Sequence, residues 1–209
     1  MPSATGYEPK PLPFSKNLTG ISAKTIAIHH DKLYIGYVNK LKEVSQKLAE
    51  MNASGVGLDA ANQSYSELRS LCDAKTFTAN GVYLHEYYFD ILGGNGQATG
   101  TLVDALVEKY GSLEKFIAFF SATGMAVRGW VVLAWDTHAG RLKIYGCDVH
   151  NQGGIWGCIP LIVLDVYEHA YFLDYGSDRK MYIEAFWKNL DWNAATKAYE
   201  QVKGLVISR

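Results

Sequence analysis

The segment Leu161-Ile162-Val163-Leu164-Asp165-Val166-Tyr167-Glu168-His169-Ala170-Tyr171 delivers one carboxylate at the end of an aliphatic run, with a histidine four positions later. An ionised carboxylate buried there needs a compensating charge, because a lone anion is strongly disfavoured away from water. A metal ion supplies that charge, and His169 is placed to share it. His29 and His85 lie in two other helix-like segments, so a four-ligand site drawn from distant parts of the chain is available. Three imidazoles and a carboxylate suit a borderline first-row ion, and the lack of thiolates argues against structural zinc or an iron–sulfur cluster. Each residue also has a plainer reading. An isolated Asp-x-x-x-His is commonly coincidental, His29 can pack on an amphipathic face, and His85 among Tyr83, Tyr87, Tyr88 and Phe89 can be a hydrogen-bonded core histidine.

The elements that would position these residues follow from hydrophobic spacing. Pro2, Pro9, Pro11 and Pro13 favour an extended lead-in. Ser22 reads as the cap of a long helix through roughly Met51, in which Ile26, His29, Leu33 and Tyr37 share one face. A turn at Asn52–Gly55 leads to a second, less regular helical region from about Asp59 to Leu92. Gly93-Gly94-Asn95-Gly96 breaks the pattern. Beyond it the spacing predicts helices over Thr101–Tyr110 and from Ser112 to about Thr123. Strands are predicted at Trp130–Trp135, Leu142–Cys147 and Leu161–Tyr167, with Pro160 breaking the chain before the third. Helices at Lys180–Asn189 and Trp192–Val202 close the chain.

The fold class is therefore α+β: an N-terminal antiparallel helical hairpin over 1–93, then an α/β domain over 94–209 with a three-stranded antiparallel sheet flanked by helices. At 209 residues, 48% apolar and a net charge of −1, the chain describes an ordinary globular protein with no basic excess for nucleic acid. Cys72, Cys147 and Cys158 form no C-x-x-C pair. Met1–Tyr7 has no apolar core of a secretion signal and no run is long enough to span a bilayer, so a cytoplasmic protein is expected.

Taken together, the residues resemble the iron/manganese superoxide dismutases over nearly the whole chain. Asp165-Val166-Tyr167-Glu168-His169-Ala170-Tyr171 is close to that family's D-x-W-E-H-A-[YF] signature. Ile21–Ile26 followed by His29 matches the start of its first helix, and Phe186-Trp187 with Trp192 matches its tail loosely. The resemblance implies four metal ligands at His29, His85, Asp165 and His169, and one iron or manganese ion per subunit, with a lean to iron. Superoxide is the implied substrate, converted to dioxygen and hydrogen peroxide. It places Tyr37 at the substrate entrance and Trp130 in the pocket wall. Gly81 stands where many iron enzymes carry glutamine, leaving a space that His150, with Gln152 as rival, fills from later in the chain. Glu168 corresponds to the residue that reaches a ligand histidine of a second subunit, implying a homodimer or a tetramer. Lys32 and Arg179 are the cations expected to steer the anionic substrate.

The departures from the family are specific. Leu33 and Phe172 replace a polar pair that normally meets across the subunit boundary, and both have become apolar together. Tyr167 replaces a tryptophan, and Leu84 an asparagine. The alternatives are a metal-binding protein on the same scaffold with lost dismutation, serving storage or sensing, and a mononuclear hydrolase or oxygenase.

Overall fold

The computed structural model describes residues 6–15 and 17–207; Pro2 and the start of the segment read for a secretion signal lie outside them. Ser22 caps the first helix, its hydroxyl accepting the Thr25 amide at 3.1 Å. The helical rod that follows is not uniform. Helix α1 (Ala23–Ile28) passes into a π turn over His29–Tyr34 and resumes as α2 (Ile35–Ser54). The Ile35 amide bonds back to the His30 carbonyl, five residues earlier. Apolar spacing alone does not reveal such a turn, because the side-chain types through it still suit a helix.

Helix α2 runs through the expected turn at Asn52 and stops at Gly55, which is left-handed at φ 71°. Helix α3 spans Glu67–Asp90, so the expected start near Asp59 is corrected by eight residues. The delay has a local cause. Asn62 folds its side chain onto the Ser64 amide at 2.7 Å, and Ser66 caps α3 by accepting Arg69 N–H. Helices α4 (Thr101–Tyr110) and α5 (Leu113–Ala126) follow.

Strands β1 (Trp130–Asp136), β2 (Arg141–Cys147) and β3 (Cys158–Asp165) form an antiparallel sheet in the order β2-β1-β3. Pro160 does not precede β3 but lies inside it, opposite Ala134 beside a register shift. An edge strand tolerates this, since proline needs no ladder partner for a missing N–H. The strand ends at Asp165 rather than Tyr167. After it come a 3₁₀ turn (Glu168–Ala170), the short α6 (Phe172–Tyr175), α7 (Arg179–Asn189) and α8 (Trp192–Val202).

Helices α3 and α8 pack on β3, and α5 packs on β1. Every residue of β1 is buried, as a central strand covered on both faces requires. One main apolar cluster joins Ile26, Tyr34 and Val82 from the first half to Trp130, Leu164 and Phe186 from the second. Where the chain enters the second half its backbone nearly touches the segment that follows α7. A Cβ on Gly94 would stand 2.5 Å from Asp191 Cα and from the Leu190 carbonyl, so only glycine fits there.

Candidate metal centre

Four side chains from four elements of the fold converge. The π turn supplies His29, α3 supplies His85, the end of β3 supplies Asp165, and the 3₁₀ turn supplies His169. Their ligating atoms all lie within 4.8 Å of one another. Asp165 Oδ2 is 3.1 Å from His29 Nε2, 3.1 Å from His169 Nε2 and 3.7 Å from His85 Nε2. The other carboxylate oxygen accepts the Tyr167 amide at 2.8 Å, which aims Oδ2 at the three rings.

The donor set fits a metal ion on an observation that involves no resemblance. His85 Nδ1 is 2.5 Å from the Gly81 carbonyl and must donate to it, so the neutral ring carries a bare lone pair at Nε2. That nitrogen is buried and has no hydrogen-bond partner. It faces a carboxylate oxygen, which is also an acceptor, so the pair repels unless a cation lies between them. Donor atoms about 2.1 Å from one ion and 90–120° apart stand roughly 3.0–3.6 Å from each other, close to the spacing found around Asp165 Oδ2.

Protonation follows from burial and pairing. Burial opposes ionisation of Asp165, but the His169 and His29 rings outweigh it and hold the carboxyl below its usual range. Burial lowers the pKa of His29, and lowers that of His85 further. His169 is raised despite its own burial, because Asp165 is its neighbour. His29 and His85 are thus held neutral with lone pairs to present, and His169 gives up its proton when a metal binds.

A second ring of aromatic groups surrounds the first. Trp130 meets His85 edge-on at 5.0 Å between centroids, and Tyr167 stacks on His169 at 5.3 Å. Trp130 Nε1–H donates to His150 Nδ1 at 2.9 Å. Burial lowers the His150 pKa to about 4, so the ring is neutral at pH 7 and carries its hydrogen on Nε2. Gln152, by contrast, is exposed. The room above Gly81 is taken directly by Tyr37, whose Cδ1 would stand 2.9 Å from an added Cβ. His150 packs against Tyr37 at 4.8 Å. Gly81 therefore accommodates the Tyr37 ring, with His150 beside it.

The remaining expected residues lie at the rim. Lys32 is exposed on the π turn, Leu33 is partly buried and Glu168 is exposed. Phe172 is 55% exposed and Leu173 beside it 50%, an apolar patch flanking His169. The Arg179 guanidinium donates to the Val127 carbonyl at 2.7 Å, the Gly124 carbonyl at 3.3 Å and the Tyr171 hydroxyl at 3.2 Å, so it is anchored to the end of α5. Residues to which the sequence reading gave no role at the site also touch it. Tyr88 lies 5.3 Å from the His29 ring and Phe77 4.6 Å from His150. Both sit on α3, one helical turn from His85 and two turns from it respectively, a spacing that could have flagged them.

Comparison with known proteins identifies the family. The description "iron/manganese superoxide dismutases, C-terminal domain" matches residues 98–198. A superoxide dismutase of Aquifex pyrophilus, named as the iron type, is 42% identical over 208 residues, covering 95% of this chain and 97% of that protein. Its counterpart in Aquifex aeolicus, also named as the iron type, is 42% identical over 91% of this chain and 93% of that protein. A Halobacterium salinarum superoxide dismutase named as the manganese type is 33% identical over 93% of this chain and 96% of that protein. The chain belongs to the iron/manganese superoxide dismutase family.

Proposed function

We infer that this protein is a superoxide dismutase that holds one iron or manganese ion through His29, His85, Asp165 and His169. The observation that carries this reading is the buried lone pair of His85 Nε2 facing Asp165 within a three-histidine, one-carboxylate set. An ion bound there would supply reversible one-electron chemistry, by which one superoxide would be oxidised to dioxygen and a second reduced, leaving with two protons as hydrogen peroxide. The protein's part is to admit a small anion, exclude other ligands and deliver protons. His150 Nε2–H is a donor held in place by Trp130, and the Tyr37 phenol, half-buried with a pKa raised by burial, stays protonated at neutral pH. Both are suited to present a hydrogen to a reduced oxygen species. Lys32, exposed on the π turn, and the anchored guanidinium of Arg179 are the cations that support a local positive field at the entrance.

Iron is favoured by the two 42% relatives named as that type. The patch formed by Phe172 and Leu173, beside a His169 side chain still 25% exposed, supports a second copy covering this edge. Glu168 would then reach across to the other copy. Glu168→Ala is expected to halve the mass in solution, measured by light scattering; an unchanged dimer would count against that contact. Three free cysteines fit a reducing, cytoplasmic setting, and among the described residues no helix is long and apolar enough to cross a membrane.

The direct test is metal content and superoxide decay on one sample purified without added metal. Near-stoichiometric iron or manganese with decay far above that of free metal is expected, and a metal-loaded protein no better than free ion would sink the reading. A narrower test addresses the entrance. Gly81→Ala gains about 1 kcal/mol of helix propensity but forces the Tyr37 ring to shift. Stability is expected to move by no more than that amount while turnover falls, so thermal unfolding and superoxide decay should part company.

A further inference from the structure

Pro9 and Pro11 flank Lys10 and keep the chain extended there. This one residue touches both helical segments that carry a clustered histidine. Its carbonyl accepts His30 Nε2 at 2.8 Å, and its amide donates to the Tyr34 hydroxyl at 2.9 Å. Its ammonium lies 2.5 Å from one Glu86 oxygen, while Tyr34 donates to the other at 2.9 Å. Lys10, Tyr34 and Glu86 thus close a ring between the extended segment, the π turn and α3. The ring's position is what matters. His30 follows His29 directly, and Glu86 follows His85 directly.

We propose that Lys10 is a positioning residue for the metal centre, holding the chain neighbours of His29 and His85 at a fixed separation and so setting how long the ion is kept. The inference rests on the dismutase reading above. Release of an ion requires a ligand to swing away, and two of the four ligands are on segments that this ring ties together. A solvated ion pair would contribute little. The Glu86 side chain, however, is only 15% exposed and receives both the Lys10 ammonium and the Tyr34 hydroxyl, so the ring is better ordered than a solvated pair. The extended segment has other anchors, among them Tyr7 against Tyr83. Glu8 pairs with Lys42, and Phe14 packs over Gly93.

The test uses the full metal-loaded chain challenged with a chelator, following metal release by absorbance, and the melting temperature of each metal-free variant. Lys10→Met is expected to release metal ~10-fold faster, in line with the loss of other partners that support ligands. Lys10→Arg, which keeps the cation, should stay within about threefold of the parent rate. Tyr34→Phe, which opens the ring at a different member, should behave as Lys10→Met does. The metal-free melting temperatures should remain within about 3 °C of one another. Release from Lys10→Met at the parent rate overturns the proposal. So does release from Lys10→Arg as fast as from Lys10→Met, or acceleration that tracks a large fall in metal-free melting temperature. A parent protein that retains no ion would instead overturn the dismutase reading, and the metal analysis separates the two failures.

Discussion

Asp165→Asn leaves the protein folded but nearly empty of metal. The substitution keeps the size of the side chain and an acceptor for the Tyr167 amide, and removes only the charge. Asp165 Oδ2 is the atom all three imidazoles face, at 3.1, 3.1 and 3.7 Å. Deleting one partner of a fully buried ionic group costs about 3–5 kcal/mol, so retention of the ion should weaken roughly a hundred- to several-thousandfold. Metal content after dialysis and superoxide decay should both fall to background. Near-stoichiometric metal in this variant would mean that the carboxylate is not a ligand.

The second large effect concerns the protein stripped of its ion. An ion present at about a thousand times its dissociation constant adds ~4 kcal/mol to folding. At this chain length each kcal/mol moves the melting temperature by ~2–4 °C, so metal removal should lower it by roughly 8–16 °C. The stripped form should also be acid-sensitive. His29, His85 and His150 all have pKa values lowered by burial, His150 to about 4. Their contribution to stability is complete above their unfolded value near 6.5. As pH falls below that value, the unfolded chain takes up protons that the folded chain refuses, and stability drops. His150 alone accounts for on the order of 3 kcal/mol between pH 6.5 and 4. Asp165, held below its ordinary range, adds a further loss in stronger acid. His169 works in the opposite direction, its raised pKa giving stability that disappears as pH rises. Three groups outweigh one. Urea midpoints of metal-free protein at pH 7.5 and 5 should therefore fall with acid, and a flat or rising trend would refute the assignment of neutral buried rings.

Much of the fold is legible in the chain because its signals are local. Ser22, Ser66 and Ser112 each cap a helix with their own hydroxyl, and the strands are marked by aliphatic runs. Pro160 misleads because its meaning depends on whether the strand lies at the edge of the sheet, and that is a property of the tertiary arrangement. The start of α3 misleads because Asp59–Gln63 has helix-compatible residues, while the Asn62 side chain turns the backbone aside. At the site, the buried carboxylate and the histidine after it speak for themselves. His29 and His85 are separated from them by 136 and 80 positions and become convincing only through the family pattern or the fold. Tyr37 over Gly81 is harder still, since glycine in a helix says that something approaches closely without saying what. The Lys10 ring is written in three fragments, and only Pro9 and Pro11 hint that the first runs straight.

The π turn over His29–Tyr34 also acts as a phase shifter. Along an ordinary helix each residue advances by about 100°, so His29 and Tyr37, eight residues apart, would point about 80° from each other. One wide turn absorbs close to one residue of advance, and the two side chains come back to within about 20° of a common direction. The His29 ligand and the Tyr37 phenol can therefore serve a single chamber from one rod. Straightening the turn with every residue kept would swing the tyrosine about 80° away from that chamber.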